Sequence, residues 1–115
     1  MTQVHYYAMP GLKHRYAIKK YDNVFYIINA VANYYGITSL DIVKRTRKRP
    51  YVTARQIAIY LIKKNTDLSL KKVADYFGGY DHTTVIYTCR LIDDQISAPF
   101  DNPIKQDLIA ILKLI

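Results

Sequence analysis

The 115-residue chain is predicted to be a small all-α domain built around a helix-turn-helix. Three features predict it. From Asp22 onward, apolar residues recur at helical spacing along most of the chain. Two short periodic segments flank the pair Gly78-Gly79, the sequence form of a helix, a tight turn and a second helix. Half of the residues are apolar or aromatic, which suits one core at this length and is too many for a disordered chain.

Residues 1–21 are polar, rich in tyrosine and broken by Pro10-Gly11, and they show no helical period. They read as an arm or short extended segment, and residues 22–115 read as the domain. In the first helix Val24, Ile27, Ile28, Val31 and Tyr35 form a buried stripe, and Gly36 is its stop. Thr38 and Asp41 offer a capping-box variant for a short helix ending near Lys44. The run "KRTRKRP", Lys44 to Pro50, breaks the pattern. A longer helix is then expected to open at Thr53, with Gln56 as its capping-box partner and Ile57, Ala58, Leu61 and Ile62 on its apolar face. Ser69 caps the next helix, with Leu70, Val73, Ala74 and Phe77 on one side and Gly78 in the C-terminal left-handed position. Asp81 caps a further helix that turns Val85, Cys89 and Ile92 inward. Pro99 and Pro103 bracket a loop, and "IKQDLIAILKLI" forms a last amphipathic helix.

The charge is strongly positive. Lys and Arg total 17 against nine acids, all aspartate, for a formal net charge of +8. Residues 44–72 carry ten of those 17 cations, opposed by Asp67 alone. A polyanionic partner is therefore expected, nucleic acid ahead of an anionic membrane surface. The single Cys89 cannot close an internal disulfide, and no apolar run approaches the length of a membrane span. A cytoplasmic, nucleoid-associated protein with no membrane partner is the expectation.

In a helix-turn-helix the first residues of the second helix meet base edges in the major groove. Asp81, His82, Thr83 and Thr84 occupy that position. An aspartate accepts from cytosine or adenine amino groups, and threonine or histidine can touch a thymine methyl while hydrogen-bonding. The arginine-rich loop suits a minor groove, and Lys63, Lys71 and Lys72 suit phosphates. Plainer roles exist for each. Asp81 caps whatever else it does, Thr84 can pack its methyl under the turn, and the 44–49 run can simply be solvated. Tyr80 and Tyr87 can be half-buried tyrosines, the favoured role for Tyr87.

Catalysis and metal binding find little support. His5 and His14 lie in the arm, and His82 and Cys89 stand about 10 Å apart along a helix, too far for one ion. Asp81 and His82 are adjacent, so their side chains are expected to diverge and to lack the oriented third group of a nucleophilic site. No enzyme, cofactor or nucleotide is expected.

The segments "TARQIAIYL" and "LSLKKVADYFGGYDHTTVIYTCR", with the basic loop before them, resemble the C-terminal DNA-binding domain of the bacterial replication initiator DnaA. The resemblance runs from about Asp22 to the C-terminus. It implies a helix-turn-helix that binds short duplex boxes at replication origins, with Asp81, His82 and Thr83 reading bases and Thr84 assisting. It implies Arg47 in the minor groove, and Arg55, Gln56 and Lys63 on the DNA backbone, to which Arg45, Lys48, Arg49, Lys71 and Lys72 add basic contacts. Two departures stand out. Tyr80, also expected among the DNA backbone contacts, occupies a place where the family usually has arginine, so it would give one neutral hydrogen bond or stack. With four glycines and no glycine-rich loop leading to Lys-Ser/Thr, the chain is also expected to be a DNA reader without the initiator's ATPase. A stand-alone regulator of replication or transcription is the first expectation. A module that binds a replication protein is the alternative, favoured by Tyr80.

Overall fold

The computed structural model describes residues 4–8, 15–19 and 23–115. Among these, six helices make up the body of the protein: α1 (Asn23–Tyr35), α2 (Ser39–Val43), α3 (Tyr51–Asn65), α4 (Leu70–Asp75), α5 (His82–Ser97) and α6 (Pro103–Leu114). The predicted all-α class therefore holds from residue 23 onward. Ahead of it, β1 (Val4–Ala8) pairs antiparallel with β2 (Arg15–Lys19), Tyr6 lying opposite Ala17. The extended segment expected there is thus a two-stranded pair. Pro10-Gly11, His14 and Asp22 lie outside the described residues.

Local chemistry sets several helix boundaries. Thr38 and Asp41 form the expected capping box: Thr38 Oγ1 accepts from the Asp41 amide at 3.1 Å, and Asp41 Oδ2 from the Thr38 amide at 3.2 Å. These bonds, with the nearby Lys44, hold the Asp41 carboxyl below the usual range. Ser69 Oγ accepts from the Lys72 amide at 3.2 Å, and Asn102 Oδ1 from the Lys105 amide at 2.9 Å, with Pro103 in the first turn of α6. Such side chains occupy amides that a helix start leaves without internal partners.

The start of α3 differs from expectation. It opens at Tyr51, after Pro50, with no side-chain cap, so Thr53 and Gln56 form no capping box. Lys48 O and Pro50 O already accept from the Val52 and Ala54 amides, which carries the first turn two residues earlier. Its burial differs as well. Beyond the predicted Ile57, Ala58, Leu61 and Ile62, it also buries Ala54, Ile59 and Tyr60, because it packs against all five other helices. A helix enclosed on all sides has no clean apolar stripe.

Polar links tie the outer helices to this arrangement. Tyr60 donates to Asp93 Oδ1 of α5 at 2.7 Å, and Lys64 stands 3.8 Å from the other carboxylate oxygen. Tyr34 and Tyr35 of α1 both donate to Asp107 of α6, at 2.8 and 2.7 Å. Burial first, then the bond to a carboxylate, raises the Tyr35 and Tyr60 phenols far above their ordinary range, so both remain hydrogen-bond donors through neutral pH. The core they surround includes Ile27, Val31, Ile42, Phe77, Val85, Ile92 and Leu108.

Candidate nucleic-acid interface

The turn between α4 and α5 is set by backbone geometry. Gly78 and Gly79 both lie in the left-handed region, at φ +87° and +75°. The Gly79 amide closes back on Ala74 O at 3.1 Å, and the Phe77 side chain is fully buried beneath the turn. A β-carbon on Gly78 would also stand 3.0 Å from Cγ of Arg45. Gly78→Ala is therefore expected to cost about 1–2 kcal/mol, the left-handed penalty of an L-residue, in urea-induced unfolding. A neutral result would mean that the turn tolerates another backbone path.

Beyond the glycines, Asp81 caps α5, its Oδ1 accepting from the Thr83 amide at 3.2 Å. The same oxygen lies 2.9 Å from His82 Nδ1. The two side chains therefore meet and do not diverge. Adjacent residues point apart only when both are helical; Asp81, as N-cap, has extended backbone at φ −61°, ψ 146°, and its carboxylate folds over the first turn. With Nδ1–H donating to Asp81, a neutral His82 imidazole presents Nε2 outward as an acceptor. Both side chains stay more than half exposed, Thr83 is exposed, and Thr84 is half-buried. Asp81, His82 and Tyr80 share a shallow cleft of about 480 Å³ with Ser69 and Lys71 at the start of α4.

The basic loop docks on this turn. Arg55 is only 7% exposed, and its guanidinium donates to Lys44 O at 2.6 Å and Thr46 O at 2.7 Å. Arg45, Arg47, Lys48 and Arg49 are exposed, as are Lys71 and Lys72. Lys63 donates to Leu68 O at 3.0 Å and bridges the end of α3 to the segment leading into α4. Tyr80 is half-buried, with the guanidinium carbons of Arg45 and Arg55 at 4.6 and 5.4 Å from its ring centroid. The fold thus gathers Arg45, Arg55 and Tyr80 at the turn, beside Lys71, Asp81 and His82. Arg49 and Gln56 instead line a separate cleft of about 710 Å³ with Tyr35, Gln95 and Asp107.

Two residues of this face were not singled out as contacts from the sequence. Tyr87, favoured there as half-buried, is 66% exposed, and Arg90 is exposed too. They follow Thr83 at i+4 and i+7, so the three form one outward ridge on α5. That spacing was the available signal.

Comparison with known proteins falls on the same region. The family of the bacterial DnaA protein helix-turn-helix matches residues 24–92. The chromosomal replication initiator protein DnaA of Corynebacterium jeikeium is 46% identical over 72 residues, 63% of this chain and 12% of that protein. The DnaA of a Picosynechococcus species is 46% identical over 63 residues, 55% of this chain and 14% of the relative. The chain thus spans a small fraction of these relatives' length. Among the described residues, no helix is long and apolar enough to cross a membrane.

Proposed function

Because the chain belongs to the bacterial DnaA helix-turn-helix family, we propose that it binds double-stranded DNA at short initiator-box-like sites. It would act at the nucleoid as a regulator of replication or transcription, the domain reading DNA without catalysis of its own. One observation carries this most directly: a polar first turn of α5, exposed and held by Asp81, beside a cationic loop docked on the same turn. An exposed helix start of this kind fits the major groove.

The residues then divide their work. His82 Nε2 accepts from an adenine or cytosine amino group, and Thr83 offers a methyl to thymine and a hydroxyl to a base edge. Asp81 orients His82, and Thr84, half-buried, supports the turn and reaches the nearest base or phosphate. Arg47, exposed in the loop, enters the adjacent minor groove, where guanidinium groups are attracted. Arg45, Lys48, Lys71 and Lys72 face phosphates, and Tyr87 and Arg90 extend that track along α5, whereas Arg49 and Gln56 stand at the separate cleft and are left out of it. Lys63 and Arg55 act from behind, holding backbone carbonyls.

Selection of bound duplexes from a random pool, followed by anisotropy titration, tests the reading. His82→Ala should cost about 1–3 kcal/mol on the recovered box and relax preference at one position. Lys71→Ala should weaken all sequences alike and reduce the salt slope by about one. Equal affinity of the unaltered protein for the recovered box and for random duplex would overturn it.

A further inference from the structure

Tyr80 sits at a junction that charge alone does not explain. It immediately precedes the cap of α5, and two guanidinium groups from different parts of the chain stand over its ring. Arg45 belongs to the basic loop and reaches the ring at 4.6 Å after its stem passes over Gly78. Arg55 belongs to α3 and stands 5.4 Å from the ring while it holds the loop carbonyls of Lys44 and Thr46. The face of an aromatic ring attracts both cations, whereas an arginine at this position would meet two like charges.

Resting on the DNA-binding reading, we propose that Tyr80 is a positioning residue that fixes the basic loop against the recognition helix, so that Arg47 is set for the minor groove when His82 and Thr83 are in the major groove. Arg47 lies two residues beyond Arg45 in the same loop, so the ring governs its placement without touching DNA. A spacing between the two groove-reading elements that is fixed before binding avoids ordering the loop on the DNA.

Two measurements test this. In the DNA-free protein, backbone ¹⁵N order parameters of residues 44–49 should fall from about 0.85 to below about 0.6 in Tyr80→Leu and in Arg45→Gln, and remain near the unaltered values in Tyr80→Phe. Arg45 is exposed, so Arg45→Gln breaks the stack without opening the core. On a cognate duplex, Tyr80→Leu should lose about tenfold in affinity. In an Arg47→Ala background the same change should lose less than about twofold, because the two residues act through one contact. Unchanged loop order in both Tyr80→Leu and Arg45→Gln overturns the brace. Additive losses with Arg47→Ala overturn its role in the minor groove. Failure of the unaltered protein to bind duplex overturns the DNA reading instead, and the order parameters still decide the brace.

Discussion

Phe77→Ala is expected to lower the stability of the protein by about 3–5 kcal/mol, the range for truncating a fully buried phenylalanine. Phe77 has no exposed surface, and it stands where α4 ends and the glycine turn begins. Its loss removes apolar contact and leaves a void between two helices whose relative position defines the reading face. At about 4–8 °C per kcal/mol for a domain of this size, the unfolding midpoint should fall by more than about 12 °C. Circular dichroism melts measure this directly. Tyr76→Ala, one residue earlier but partly exposed, should cost far less. Phe77→Leu, which keeps most of the volume, should fall between them. A loss below about 1 kcal/mol for Phe77→Ala would mean that the turn is anchored elsewhere.

That this phenylalanine lies inward was legible from spacing alone, because Leu70, Val73, Ala74 and Phe77 repeat with the helix. The caps at Thr38, Ser69 and Asp81 were legible for the same kind of reason: each is decided by bonds within three residues. What sequence could not supply was decided by distant neighbours. The α3 helix begins at Tyr51 because its entry follows from the path of the basic loop, which Arg55 fixes by bonds to Lys44 and Thr46. Its full enclosure depends on five partners that no local pattern encodes. At the candidate site, the order Gly78, Gly79, Asp81, His82 marked a helix start with polar residues on it. The contact between Asp81 and His82 escaped because it depends on the non-helical backbone of the cap. Tyr80 and Tyr87 look alike in sequence, yet one is braced by two guanidinium groups and the other lies open to solvent. A tally of positive charge likewise cannot tell a guanidinium that faces solvent from one that faces carbonyls.

Arg55 makes that last distinction testable. If it met DNA phosphate directly, Arg55→Lys would keep most of the interaction, because a lysine carries the same charge to the same place. The geometry predicts otherwise. The guanidinium is nearly buried and spends two donors on two carbonyls of one loop, a fork that a lysine ammonium cannot reproduce. Removing it leaves both carbonyls short of a charged donor, each such bond being worth about 1.5–3 kcal/mol. Arg55→Met should therefore cost about 3–6 kcal/mol in unfolding free energy, and Arg55→Lys more than half as much. On DNA, both variants should weaken the specific box more than random duplex, because the loop that carries Arg47 loses its anchor while the exposed cations remain. If Arg55→Lys instead matched the unaltered protein in stability and affinity, and Arg55→Met lost about one unit of salt slope, Arg55 would be a phosphate contact. The loop would then have to be held by the Tyr80 stack alone.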